Sequence, residues 1–237
     1  MSVLLTRGTR LSQPQGPVEV DWANPIARGL QVGWNGTDPG NVLIAGVRTK
    51  TAISGTQSAR SGKYTAQGQT FASASSQFID LGPFPSFTAI TTLLLAESSA
   101  VNTFGASCRS ASNTQGFDAV LFGGGGVAGA NIPLRVGITG GSGYPGSTSG
   151  ANDSKLHAYV GAWNQGNVRG WFDGASTGTS GFDAASGTIT PTQNLYIARR
   201  ATTYMSGFVG LFLVWTRELS DAEIASISAN PWQLFKP

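Results

Sequence analysis

Residues 208 to 228 read Phe208-Val-Gly-Leu-Phe-Leu-Val-Trp-Thr-Arg-Glu-Leu-Ser-Asp-Ala-Glu-Ile-Ala-Ser-Ile-Ser228, and two kinds of patterning meet inside them. Phe208 to Trp215 is a nearly unbroken apolar run, bounded by Gly207 and by Thr216-Arg217. That length suits a strand buried on both faces, although a buried helix segment gives the same pattern. After Arg217 the chemistry changes. Ser220 precedes Glu223 by three positions, a capping box that satisfies two orphan amides at a helix start. Ile224 and Ile227 give the short helix one apolar stripe. Pro231 cannot continue a helix and biases Asn230 away from helical angles. The stretch therefore reads as strand, turn, one short capped helix, stop.

Working outward, residues 30–35 alternate apolar and polar positions and read as a first strand. Further strands are expected at 52–55, 70–74, 78–81, 87–96, 119–122, 133–139, 156–163, 168–173 and 195–199, with Gly/Ser-rich loops between. Many short strands and one terminal helix fit two packed antiparallel sheets. The 33 glycines and 11% charged residues agree with many turns, while 40% hydrophobic residues suffice for a core rather than disorder. Trp34, Trp163, Trp171 and Trp215 lie in strand patterns and are expected inside. No apolar run approaches the ~18 residues of a membrane span, so none is expected. Met1 to Leu5 lacks the basic start and long apolar core of a signal peptide. Cys108, the only cysteine, can form no disulfide within one chain, which fits a reducing cytoplasm.

Charge is uneven. Residues 1–63 hold seven basic groups against three acids, and the remainder holds eight against nine. The net +3 therefore comes from the first quarter, yet it is too sparse to argue for nucleic acid. Residues 1–29 form an expected extended arm, because Pro14, Pro17 and Pro25 interrupt any ladder. Its Leu4, Leu5, Val18, Val20 and Trp22 are docking points, and the arm is expected to add little to the sandwich itself.

The closing segment from Gly207 to Ile224 resembles the end of laminin-G-like, concanavalin A-like jelly-roll domains. Ala162 to Gly174 is similar to that family's central hairpin, with Phe172 where Val is commoner. Leu195-Tyr-Ile-Ala-Arg199 resembles its Leu-x-Ile-Gly strand, with Ala198 for Gly. At the two ends, Gln13 to Leu30 and Asn230 to Phe235 resemble laminin-G-like proteins of tailed bacteriophages. The resemblance implies an all-β, two-sheet antiparallel jelly-roll sandwich over residues 30–237, with the arm at 1–29 and one short C-terminal helix. It also implies a virion protein made in the host cytoplasm: a capsid decoration protein or a head or tail fibre component. Leu4, Leu5, Arg7, Arg10, Val18, Trp22 and Arg28 are then the expected anchor to major capsid or tail proteins, with self-association beside it.

Catalysis is not expected. Related hydrolases carry paired carboxylates on one strand as Glu-x-Asp-x-Glu, and no such run occurs. Glu218, Asp221 and Glu223 are explained by the helix start. His157, the only histidine, reads as an ordinary strand residue, and Gly123 to Gly126 as a turn rather than a phosphate loop. Calcium, which the resemblance implies at the sandwich rim, finds no clustered acids among Asp80, Asp118, Asp153 and Asp183. The alternative function is binding of a host-surface glycan, for which an aromatic flanked by polar loop residues is the usual tool. Tyr144, with Asn152 and Asp153 nearby, and Tyr204 are the candidates, although the simpler reading, and the preferred one, has each tyrosine pin its own loop to the sandwich.

Overall fold

The structure, a computed structural model, describes residues 13–14, 18–44, 47–50, 55–61, 64–98, 103–109, 115–122, 131–138, 141–143, 155–165, 167–181 and 187–236. In chain order come β1 (Glu19–Val20), β2 (Leu30–Asn35), β3 (Asn41–Ile44), β4 (Val47–Lys50), β5 (Thr56–Ser61) and β6 (Thr65–Phe71). Next are β7 (Ile79–Pro83), β8 (Ala89–Ser98), β9 (Thr103–Ser107), β10 (Gly116–Phe122), β11 (Ile132–Ile138) and β12 (Gly141–Gly143). β13 (His157–Asn164), β14 (Asn167–Phe172), β15 (Ala175–Gly181), β16 (Asn194–Ile197), β17 (Arg199–Arg200) and β18 (Thr203–Tyr204) follow. The chain closes with β19 (Gly207–Trp215), helix α1 (Asp221–Ala229) and β20 (Phe235–Lys236).

Two antiparallel sheets make a jelly-roll sandwich. The larger runs β15-β14-β13-β8-β19-β2-β3-β4, with β6 pairing both β19 and β5. The smaller runs β12-β11-β10-β9-β16-β7. Between them lies a core that includes Trp34, Phe71, Leu94, Phe117, Tyr159, Trp163 and Phe212. A second core covers the outer face of the larger sheet, where Leu95, Trp171, Phe208, Leu213 and Trp215 meet Ile224, Ile227 and Trp232.

β19 feeds both cores, which explains its unbroken apolar run: a strand covered on two sides has no face to leave polar. Val209, Phe212 and Val214 point between the sheets, and Phe208, Leu211, Leu213 and Trp215 point outward. The register against β8 slips between Val209 and Leu211. That one extra residue at Gly210 resets the alternation; without it Leu211 would face the wrong core.

Helix α1 begins as its sequence dictates. Glu223 N donates to Ser220 Oγ at 3.3 Å, and Ser220 N donates to Glu223 Oε2 at 2.9 Å. Arg217 grips the same carboxylate, Nη2 to Oε1 at 2.6 Å. The helix buries Ile224 and Ile227 over the larger sheet and stops before Pro231.

Three expectations need correction. The described part of the arm does not stand apart: Val18 and Val20 are 7% and 1% exposed within the outer core, and β1 pairs with β20. Trp215 Nε1 donates to the Ile26 carbonyl at 2.7 Å, tying the segment to the central strand. Prolines bar a long ladder but not a two-residue one, and burying each valine is worth about 1.5–3 kcal/mol. The strand expected at 70–74 ends at Phe71, and Ser73–Ser75 is a single 3-10 turn. β9 and β15, absent from the expectation, are full members of the sheets. Most of the strand expected at 52–55 lies outside the described residues.

Candidate functional site

Period two places the site. Leu195 and Ile197 of β16 are 1% and 0% exposed between the sheets, so Tyr196 faces outward. Register then carries a row across the outer face of the smaller sheet. Tyr196 stands opposite Asp80 on one side and Ser107 on the other, Ser107 opposite Asp118, and Asp118 opposite Arg135.

Beyond β16 the chain kinks at Ala198 (φ 63°) and turns at Ala201 (φ 48°), forming the small hairpin of β17 and β18. This delivers Arg199 and Tyr204 to the end of the row. The Arg199 guanidinium carbon lies 4.4 Å from the ring centre of Phe78, 4.6 Å from Tyr196 and 5.7 Å from Tyr204. Phe78 itself meets Tyr196 edge-on at 5.6 Å and Tyr204 at 6.0 Å. Arg199 Nε donates to the Ala201 carbonyl at 2.7 Å, and no described residue accepts from its two terminal nitrogens. The Tyr196 and Tyr204 hydroxyls also have no hydrogen-bond partner among the described residues, and all four side chains are half-buried. The outcome is a fork of donors held rigid by three rings, with two phenols alongside.

Below the cage lies a buried ion pair. Arg109 Nη1 is 2.9 Å from Asp118 Oδ2, and Ser107 Oγ donates to Asp118 Oδ1 at 2.6 Å. Arg200 Nε approaches Asp118 Oδ1 at 3.4 Å while its guanidinium rests on Phe104. Burial pulls the Arg109 pKa down from its usual value, and the Asp118 carboxylate opposes that. Gly137 is needed here because a Cβ at that position would run into the Arg109 guanidinium. Among the described residues this face carries Arg109, Arg135, Arg199 and Arg200 against Asp80 and Asp118, an excess of positive charge.

Of the glycan candidates, Tyr204 belongs to this cage, whereas Tyr144, Asn152 and Asp153 lie outside the described residues. Leu4, Leu5, Arg7 and Arg10 of the anchor lie outside them too. Val18 is enclosed by the chain's own core, so its side chain is engaged within the molecule. Trp22 is 52% exposed, and Arg28 is exposed while its carbonyl accepts from Arg217 Nε at 2.6 Å. His157 sits in β13 with Nδ1 2.8 Å from Asp173 Oδ2. Among the described residues no group of three or more His, Cys, Asp or Glu is placed to hold a metal. Of the four acids considered for calcium, Asp80 takes the Asn194 amide and Asp118 takes arginines, while Asp153 and Asp183 lie outside the described residues.

Sequence reasoning missed Phe78, Tyr196 and Arg199. The alternation Leu195-Tyr196-Ile197 could have shown Tyr196 facing out. Phe78 and Arg199 join only through the fold.

No protein-family model matches this sequence, and no curated protein matches it. Solved structures do match in fold. Domain 4 of AbnA, a GH43 extracellular arabinanase from Geobacillus stearothermophilus in complex with arabinotriose, matches with a TM-score of 0.57 at 10% identity. That match covers 84% of this chain and 98% of that one. The native heptameric SAP-like pentraxin from Limulus polyphemus matches with a TM-score of 0.50 at 14% identity, over 64% of this chain and 74% of that one. The binding domain of botulinum neurotoxin DC in complex with SialylT matches with a TM-score of 0.54 at 10% identity. It is covered over 52% of its length, against 86% of this chain, so the chain spans about half of the toxin domain. At these identities the likeness shows the fold alone, a two-sheet jelly-roll sandwich.

Proposed function

We propose that this chain is a binding domain whose outer face at Tyr204 takes a glycan. The observation that carries it is the Arg199 fork, stacked among Phe78, Tyr196 and Tyr204, whose terminal nitrogens have no partner among the described residues. A planar fork held in place suits vicinal hydroxyls or a carboxylate, and the local surplus of arginine favours an acidic sugar. Two fold relatives, the arabinanase domain with arabinotriose and the toxin domain with SialylT, lend support.

The domain acts by binding rather than hydrolysis. Glycosidases need two carboxylates about 5–10 Å apart across the bond they cleave. Here Asp118 faces Arg109, Glu218 and Asp221 face Arg169, and Glu223 faces Arg217, so these acids hold the fold together.

A glycan array probed with the full chain and with Tyr204→Ala and Arg199→Ala tests the reading. The expected result is a specific hit weakened at least tenfold in both variants. An array with no hit, or a hit that both variants keep, sinks it.

The finer reading is a tailed-phage virion protein, a capsid decoration or fibre component beside major capsid or tail proteins and copies of itself. One observation favours it. The two segments that resemble phage proteins fold against each other: Glu19 pairs with Lys236, Asp21 N donates to the Leu234 carbonyl at 2.7 Å, and Asn24 Nδ2 to the Gln233 carbonyl at 3.3 Å. Exposed Trp22 sits on that junction. Cryo-microscopy of particles carrying the protein tests it: density from a neighbouring protein over Trp22 supports it, and a Trp22 left bare on the particle refutes it.

A further inference from the structure

On the larger sheet, away from the Tyr204 face, strand β6 has an edge that is only partly used. β5 pairs with one side of it from Thr65 to Thr70. On the other side β19 pairs only with Gln69 to Phe71, so no described strand lies beside Thr65 to Gly68 there. Gln13 fills the first place on that open edge by imitating a strand. Gln67 N donates to Gln13 Oε1 at 2.6 Å, and Gln13 Nε2 donates back to the Gln67 carbonyl at 2.9 Å. A side-chain amide that holds both backbone groups of one residue repeats the exchange made by a hydrogen-bonded strand pair. The same Nε2 lies 2.8 Å from Asn35 Oδ1, and Gln13 is buried. Period two then turns Thr65, two residues back along β6, toward the same edge.

From that edge a groove of about 850 Å³ runs between β6, helix α1 and the turn that joins β14 to β15, with Gln13 in its wall. Its lining is largely apolar. Ala66 and Trp232 are buried along it, and α1 presents Ala225 and Ala229, small exposed residues one turn apart. Tyr64 Oη donates to the Ser228 carbonyl at 2.7 Å, which lays the ring along the wall. The sequence that leads into Gln13 is Met1-Ser-Val-Leu-Leu-Thr-Arg-Gly-Thr-Arg-Leu-Ser12. It has no proline to bar a ladder, and it carries three leucines.

We propose that the groove is the berth of this segment: residues 3–11 add to the open edge of β6 as an extended strand, and Leu4, Leu5 and Leu11 supply the apolar contacts. Strand addition of this kind takes its hold from backbone bonds and its fit from side chains in pockets. The reach is right. Leu11 stands two residues before Gln13, a step of about 7 Å in an extended chain. The step from Gln67 to Thr65 in β6 is of the same length. The choice of occupant follows from the tether. Gln13 fixes the end of the segment at the groove wall, and a short tether gives a local concentration on the order of millimolar. An open strand edge beside an apolar trough also invites pairing with other molecules, and the segment closes both. The berth is independent of the glycan reading, since the two faces belong to different sheets.

The test is amide hydrogen exchange, resolved by NMR, in the full chain at high and at low protein concentration. Three proteins are compared: wild type, the triple variant Leu4→Asp/Leu5→Asp/Leu11→Asp, and Ala225→Leu, which fills the groove from an exposed helix position. Expected in wild type is a protected Thr65 amide at both concentrations, with a monomer by sedimentation. In both variants that protection falls by at least about tenfold and the Trp232 indole signal shifts. Exchange in β19 stays as in wild type, which shows that the sandwich is folded. A Thr65 amide that exchanges freely in wild type, or keeps its protection in the triple variant, overturns the proposal. Loss in the triple variant without loss in Ala225→Leu overturns it too, because the segment then rests outside the groove. Protection that fades on dilution, with a dimer by sedimentation, gives the groove to the segment of a second copy and also sinks the proposal.

Discussion

Arg109 and Asp118 meet Nη1 to Oδ2 at 2.9 Å, and neither side chain reaches solvent. Removing Asp118 takes away the carboxylate that faces both Arg109 and Arg200. Asp118→Ala is expected to destabilise the fold by about 3–5 kcal/mol, read from urea unfolding. A loss under about 1 kcal/mol would mean that Arg109 finds water once its partner is gone.

Val20 and Trp22 are two residues apart with opposite surroundings. Val20 is 1% exposed in the outer core, so Val20→Ala should cost about 0.5–3 kcal/mol by thermal or chemical denaturation. Trp22 is 52% exposed, so Trp22→Ala should stay within about 0.5 kcal/mol of wild type while weakening attachment to a particle. Equal melting temperatures for both variants would contradict the assignment of Val20 to the core.

The start of the helix should be sensitive to acid. Ser220→Ala removes the Glu223 amide's partner and should cost about 0.5–2 kcal/mol. Hydrogen bonds from Arg217, then from Ser220, hold the Glu223 carboxyl at about 2, below its usual 4.5. A folded-state value below the unfolded one means stability that is full above about 4.5 and lost as pH falls toward about 2. Glu223→Gln should flatten that part of the stability curve, measured as melting temperature against pH. An unchanged slope would place the acid sensitivity elsewhere.

Cys108 should be inert in the folded protein. Burial pushes its thiol up to about 12, and the side chain is fully enclosed. Iodoacetamide at mildly alkaline pH should leave the native chain unlabelled and label it fully in denaturant. Rapid labelling without denaturant would show that the β9–β10 end opens readily.

Much of the sandwich was legible because its signals are local. The run from Phe208 to Trp215 and the Ser220–Glu223 cap each declare themselves within a few residues. The structure keeps both, as β19 and as the start of α1. β9 was hidden because Thr103-Phe-Gly-Ala-Ser107 carries few β-branched residues, and its place between β10 and β16 comes from pairing alone. The arm misled for a related reason: prolines report what one segment cannot do alone and say nothing of β20, more than two hundred positions away. At the candidate site Tyr204 could be picked out as a loop aromatic. Its partners Phe78 and Arg199 come from the turn before β7 and from a left-handed kink at Ala198, neither of which leaves a periodic trace.

The pairing of β1 with β20 also gives the molecule a mechanical character. Glu19 lies opposite Lys236, so both strands present their outer ends at the same edge of the pair. Tension applied there would part the bonds one after another, as a zipper opens, instead of loading them all at once in shear. The clasp, and with it the cover of α1 and the outer core, is then the first element to yield under a pull. The layer between the two sheets, which takes nothing from the clasp, would still hold its shape after the clasp has let go.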